Sequence, residues 1–470
     1  MKVSRRRFLG QASCAAVSSI PVLNTLLNLK AAGHLAAATP GPSDYRALVC
    51  LFFSGGVDSF NILAPRGTSE WQQYKGIRGD LAIPSASLLP ITPTNVSGME
   101  LGVHPGMAGL QGLFEAGNAA FVANVGTLVE PVTKAQYFQG TGKFPLGLFS
   151  HSDQIEQWQT GTPDVRSPRG WAGRVGDVLK QLNTDPTVSM NISLAGANIW
   201  QSGETVYEYA VSAGSGDWPG GAEELQGYDP TETSPWSTIV PRTKAVDGQL
   251  ALEYQHLLTE AFASKKRDAM AAYQLFNSAT STPLPPGVTF PGNYLAEQLK
   301  MVAKAVAGHA ALGHVRQTFF VHVGGWDHHD EVIANMGEML PMVSGAVAAF
   351  YAALAALGME DSVTLFTASD FGRTLTSNGA GSDHAWGGNH FVVGGAVDGR
   401  KVYGQFPELY EDNPLDVGRG RLIPSTSVDA YFAELALWLG VPKSSLPLVL
   451  PNIERFYSLS SSSNPVGFLP

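Results

Sequence analysis

Cysteine is nearly absent: the 470 residues hold two, Cys14 and Cys50. Cys14 lies in an N-terminal segment that reads as removable, so the mature chain keeps one thiol and forms no internal disulfide. Charge is sparse as well, at 15% of residues against 44% hydrophobic ones, which excludes disorder as a global description. Basic residues are the scarcer sign, 30 against 40 acidic. Removing residues 1–38 takes away Lys2, Arg5, Arg6, Arg7 and Lys30 and no carboxylate, leaving 25 against 40, a net charge of −15. That balance argues against a nucleic-acid partner. The apolar stretch near the N terminus is broken by Pro21, Asn24 and Asn28, too weak and too short for a stable membrane span. No internal repeat is visible. Glycine, at 52 residues, and proline, at 30, are plentiful and point to many tight loops around a compact body rather than a helical bundle.

The first residues are specific. Ser4-Arg5-Arg6-Arg7-Phe8-Leu9 resembles the twin-arginine export motif, followed by a moderately apolar region that ends in Leu35-Ala36-Ala37-Ala38. Residues 1–38 are therefore expected to be a signal peptide, with the mature protein periplasmic or secreted and the twin-arginine translocase a partner during export. That route carries folded proteins, often with a metal or cofactor in place. Residues 39–455 read as one domain with a loop-rich insertion near 196–245, and 456–470 as a flexible tail.

Along the chain, Ala47–Phe53 (ALVCLFF) reads as a buried strand followed by Ser54-Gly55-Gly56-Val57-Asp58. Met107–Glu115 has helical spacing, and Ala120–Val125 reads as the next strand. Phe149-Ser150-His151-Ser152-Asp153 opens a helix, where Ser150 is either an N-cap or an activated nucleophile. Thr318–Val323 is a strand that runs into Gly324-Gly325-Trp326-Asp327-His328-His329. A long alanine-rich helix then leads to the strand at Val363–Ala368, which ends at Asp370. This β-α-β unit implies an α/β fold with parallel strands, whose carboxyl ends gather polar groups at one edge. Phe391–Val393 reads as a further strand, with His384 on the Gly-rich loop before it and His390 at its mouth.

Five of the eleven histidines fall between Val321 and His390, at strand ends rather than on surface helices. Imidazole and carboxylate together suit zinc or manganese, and carboxylate-rich sites suit calcium or magnesium. The candidate metal ligands are Asp58, Asp327, His329, Asp370, His384 and His390. Asp58 reads equally well as a turn cap. Arg373 is either a bidentate contact for a substrate anion or the partner of a buried carboxylate.

The segments FFSGGVDSFNILAP (52–65), GGWDHH (324–329), TASDFGRT (367–374), DHAWGGNHFVVGG (383–395) and RGRLIPSTSVDAYFAELALWLGV (419–441), with the serine-histidine segment around Ser150, resemble the exported domain-of-unknown-function 1501 family. The resemblance spans roughly residues 45–455. It implies membership of the alkaline phosphatase and sulfatase superfamily: a three-layer sandwich around a mainly parallel sheet, with a metal site at the sheet's carboxyl edge. On that basis Asp58 matches the first-strand aspartate, Asp327 and His329 an Asp/His pair, Asp370 the aspartate after the next strand, and His384 or His390 the late histidine. Ser150 is the matching nucleophile. The chain departs from the superfamily pattern in two places. Asp327 and His329 are two residues apart where four is usual, and Phe371 stands where a histidine usually follows the aspartate. The implied function is a metal-dependent hydrolase of small-molecule or polymer phosphate or sulfate esters; the alternative is an inactive exported binding or structural protein on the same fold.

Overall fold

The computed structural model describes residues 44–214, 220–222 and 225–470; residues 1–38, expected to be a signal peptide, and part of the expected insertion lie outside them. A nine-stranded sheet forms the middle layer. Its strands are β1 (Arg46–Phe53), β2 (Ala119–Gly126), β3 (Asn191–Ser193), β4 (Tyr209–Ala210), β5 (Arg316–Val323), β6 (Val363–Ser369), β7 (Gly388–Val393), β8 (Val402–Tyr403) and β9 (Thr426–Ser427). Their spatial order is β8-β2-β7-β6-β1-β5-β3-β4, with β9 also on β2. Strand β7 is antiparallel to both its neighbours, and every other pair is parallel.

Seven of the eight residues of β1 are buried, and β1 is central, with β5 on one side and β6 on the other. A continuous apolar run fits that place because both faces are covered. Ala47, Val49, Leu51 and Phe53 face a core shared with Ala108–Glu115 (α1), Tyr294–Ala307 (α4) and Val332–Leu357 (α5). Leu48, Cys50 and Phe52 face a second core shared with Trp171–Leu179 (α3) and Val428–Leu439 (α6). The α/β fold read from the β-α-β pattern, and the three-layer sandwich implied by the family resemblance, are the observed architecture. At about 2 kcal/mol for each large apolar side chain fully buried, the two faces of β1 alone account for a large stabilising contribution.

Helix α5 has the length and mean hydropathy, 1.8, of a membrane span. In this fold Val343, Val347 and Phe350 on it are packed into the first core. Pro341 sits within it. Residues 456–470 do not hang free: Phe468 and Leu469 are buried, and the Glu434 carboxylate accepts hydrogen bonds from the amides of Val466, Gly467 and Leu469 at 2.9–3.0 Å. The apolar ending of a serine-rich segment supplies the anchor. The expected insertion contributes β4 at Tyr209–Ala210 to the sheet edge and a helix at Ile239–Leu250, which precedes a longer one at Leu257–Ala279.

The carboxyl edge is where the loops meet. Gly55, after β1, has φ +117°, and a Cβ there would lie 2.6 Å from the amide nitrogen of Asp327, so glycine alone lets the two loops touch. After β6 the chain folds back on itself. Gly372 N donates to Trp386 O at 3.0 Å, Ala385 N to Gly372 O at 2.9 Å and Thr374 N to Asp383 O at 2.9 Å, which sets His384 beside Arg373.

Candidate metal centre

Each functional side chain is held by a different loop. His151 is the first residue of a helix, His151–Thr160 (α2), placed at the sheet edge by a turn in which Phe149 adopts φ +71°. Asp327 and His329 follow β5, and His384 lies on the folded-back loop between β6 and β7. Arg373 ties these segments together. Its Nε donates to Gly56 O at 2.7 Å and its Nη1 to Ser382 O at 3.1 Å, while Nη2 reaches Gly55 O, Trp326 O and the Asp327 carboxylate. Arg373 is completely buried and each of its three nitrogens is already engaged by the protein, so its role is the second one read from the sequence, partner of a carboxylate.

Nitrogen and oxygen atoms converge at one point. One donor atom each from His151, Asp327 and His384 lie within 4.8 Å of one another. His384 Nε2 is 3.0 Å from His151 Nε2 and 3.6 Å from Asp327 Oδ1, which is 3.3 Å from His151 Nε2. His329 abuts this trio, its Nε2 3.0 Å from both His384 Nε2 and Asp327 Oδ1.

The opposite ring nitrogens decide what these contacts mean. His384 Nδ1 lies 2.8 Å from the carbonyl of Phe149, which can only accept, so Nδ1 carries the proton. His151 Nδ1 lies 2.6 Å from Asp370 Oδ2, and His329 Nδ1 3.0 Å from Asp383 Oδ1; both face acceptors in the same way. All three Nε2 atoms in the neutral rings are then bare lone pairs directed at one another and at a carboxylate. Such a set is mutually repulsive unless a cation sits among them. Hydrogen bonding of Nδ1 to a carboxylate or carbonyl is also how metal-bound histidines are oriented and made more basic. The donor chemistry fits a metal.

The electrostatics follow the same layout. The hydrogen bond that His151 donates to Asp370 raises the His151 pKa against the opposing effect of burial. Burial lowers that of His384, with the neighbouring His151 and Arg373 acting in the same direction. For Asp327 burial pulls upward, but the bond and charge of Arg373, with His151 and His329, outweigh it and leave the pKa lowered. For Asp383 burial is outweighed by Asn378, Arg419 and His329, which bring it to about 2.

Asp327, His329 and His384 are thus brought together. Asp370 stands behind the donors: it is buried, with Oδ2 accepting from His151 Nδ1 and from Gly55 N at 3.1 Å. Two ligand candidates are elsewhere. Asp58 is buried in an ion pair with Arg78, so its charge is already compensated. His390 sits inside β7, because that strand begins at Gly388 instead of Phe391. Its ring lies 4.7 Å from that of Trp158, its Nδ1 is 3.2 Å from Thr367 Oγ1, and burial takes its pKa down to about 3. Ser150 caps no amide of α2; its Oγ lies 3.2 Å from Ser152 Oγ, and it is the chain neighbour of the donor His151. His151 was missed as a donor, as were Asp383 and the Phe149 carbonyl as supports. The one available signal was a histidine beside a possible nucleophile at the start of a helix.

No curated protein matches the sequence. A family model described as a protein of unknown function (DUF1501) matches residues 242–418. That span contains Asp327, His329, Asp370, Asp383 and His384 but not His151, so the centre draws on chain outside the matched region. Among solved structures, the PsFucS1 sulfatase from Pseudoalteromonas sp. is 10% identical over 88% of this chain and 71% of its own, with a TM-score of 0.36. Ps i-CgsB in complex with k-i-k-neocarrahexaose is 10% identical over 88% and 78%, with a TM-score of 0.33. The soluble domain of lipooligosaccharide phosphoethanolamine transferase A from Neisseria meningitidis is 10% identical over 88% and 95%, with a TM-score of 0.29.

Proposed function

We propose that this chain is an exported, metal-dependent hydrolase of phosphate or sulfate esters. The observation that carries the reading is the convergence of three imidazole Nε2 atoms on one another and on the Asp327 carboxylate, each with its Nδ1 facing an acceptor. His151, His384, Asp327 and His329 would hold the ion. Three imidazoles and one carboxylate favour a borderline cation, zinc or manganese, over calcium or magnesium, which take all-oxygen shells. Bound there, such an ion supplies Lewis acidity, which acidifies water or a hydroxyl and offsets charge on an ester oxygen.

The protein's own groups do the rest. Asp370, Asp383 and the Phe149 carbonyl keep the three Nδ1 protons in place, so that no ring can turn its lone pair away. Arg373 fixes the Asp327 carboxylate against four backbone carbonyls. The attacking oxygen is a water or the Ser150 hydroxyl, whose carrier residue precedes His151. The ester class follows from the motif resemblance.

Elemental analysis of protein purified without chelator should give about one divalent ion per chain, matching the single donor cluster among the described residues. Chromogenic phosphate and sulfate esters then test turnover before and after chelation, with loss on chelation and recovery on metal return expected. Ser150→Ala with metal retained and turnover lost assigns the nucleophile to Ser150; unchanged turnover assigns it to water. Metal without turnover of any ester would instead support the inactive scaffold. Export by the twin-arginine route is part of the proposal, resting on Arg5-Arg6-Arg7. Replacing Arg5 and Arg6 by lysine should leave the precursor in the cytoplasm on cell fractionation, and normal export would rule that route out.

A further inference from the structure

We propose that Arg421 forms an oxyanion-binding subsite at the rim of the metal centre, holding the tetrahedral phosphate or sulfate group of the substrate. The inference rests on the metal-hydrolase reading and adds the group that recognises substrate charge. Arg421 is half-buried and anchored by two residues of the centre. Its Nε donates to the carbonyl oxygen of His384 at 2.9 Å, and its guanidinium lies 5.0 Å from the ring centroid of Phe149. Phe149 and His384 are themselves joined, His384 Nδ1 donating to Phe149 O. The guanidinium is thereby positioned by the pair that orients the His384 ring.

What Arg421 leaves unused distinguishes it from its neighbours. Arg373 is consumed by carbonyls and Asp327, and Arg419 is paired with Asp383 Oδ2 at 2.6 Å. Arg421 has no ion pair among the described residues, and only its Nε is engaged. Two terminal amino groups on a guanidinium held by the His384 carbonyl and placed over the Phe149 ring offer the paired N–H groups that match two oxygens of an oxyanion. Charge balance points the same way. Of the three carboxylates around the donor cluster, Asp327 and Asp383 are already paired with Arg373 and Arg419 while Asp370 faces His151, so a doubly charged phosphate ester needs positive charge beyond that of a single divalent ion. Arg421 is a cation beside the centre that no carboxylate neutralises.

The test measures metal content and the binding of inorganic phosphate and of sulfate by calorimetry, in wild type, Arg421→Gln and Arg421→Lys. Metal stoichiometry should stay at the wild-type value in both variants. Anion affinity should fall roughly ten- to a hundredfold in Arg421→Gln, as for loss of a charge-assisted pair, with a smaller fall in Arg421→Lys, which keeps the charge but not the fork. Whichever anion shows the larger fall names the ester class. Equal affinity in wild type and both variants, or binding of neither anion to metal-loaded wild type, overturns the subsite. Loss of metal from Arg421→Gln overturns it too, because Arg421 would then act by positioning His384. Should Arg421→Gln fail to fold, Arg421→Lys carries the test, and an unchanged affinity there is equally decisive. A wild type that holds no metal removes the hydrolase reading itself, and the inference with it.

Discussion

Replacing His384 by alanine is expected to empty the metal centre. His384 Nε2 is the donor that touches both other imidazoles, at 3.0 Å each, and it also faces Asp327. Without it the remaining donors no longer enclose a position, and Arg421 loses no bond, since it is held by the backbone carbonyl of residue 384. Metal per chain should drop from about one to below roughly a tenth, because removing a ligand costs more than the ten- to hundredfold loss typical of an outer-shell change. Asp370→Asn is the graded companion. It leaves every donor in place but weakens the acceptor that holds the His151 proton, so affinity should fall by that ten- to hundredfold factor while the ion still binds at high concentration. Competition with a chromophoric chelator reads both variants, and added metal should raise the unfolding temperature of wild type but not of His384→Ala. Full metal content in His384→Ala would show that the convergence of imidazoles is only packing.

The parts of this centre that sequence could supply are those written at strand ends. Strands β1, β5 and β6 announce themselves as continuous apolar runs followed by glycine, and a parallel sheet then obliges Asp327, His329 and Asp370 to share one edge. His384 was accessible because its loop is too rich in glycine to be anything but irregular. The errors came from distance and register. His151 meets Asp370 across 219 residues, and nothing in a helix's first residue reports a partner so far away. Asp58 also follows its strand, but β1 ends at Phe53 while β6 runs to Ser369 immediately before Asp370, and Arg78, 20 residues on, neutralises Asp58 within the protein. For His390, β7 starts three residues earlier than its apolar run, because Gly388 and His390 pair with Val125 and Val122 of β2, across a register shift at Asn389, despite the polarity of the segment. Tertiary pairing overrides local pattern in such a case. Arg421 was invisible for another reason: what it leaves unbonded depends on a carbonyl and an aromatic ring from two other segments.

Asp429→Asn should flatten the pH dependence of stability. Asp429 lies in the first turn of α6, completely buried, and neither carboxylate oxygen has a hydrogen-bond partner among the described residues. Burial is the largest influence on it and pushes its pKa up to about 8; its own backbone amide, Arg455 and Arg174 pull the other way, and Asp164 adds to the rise. The cations are committed elsewhere. Arg174 donates to the carbonyls of Val449, Arg169 and Thr160, and Arg455 lies 3.3 Å from Asp164. The positive end of α6 favours a charge at this position, but by too little to offset complete burial. The folded pKa therefore lies above the unfolded value of about 3.9. In that order the folded state binds the proton more tightly, so this group's stabilising contribution is complete below about pH 4 and is lost progressively up to about pH 8. At about 1.4 kcal/mol for each pKa unit, the loss is on the order of several kcal/mol. Asparagine keeps the shape of the protonated acid without a proton to lose. Denaturant titrations at pH 5 and pH 8 should show wild-type stability falling across the interval and Asp429→Asn changing much less, the two converging towards acid. Parallel pH profiles for the two proteins would mean that Asp429 is ionised in the folded protein, and that Arg174 or Arg455 compensates it.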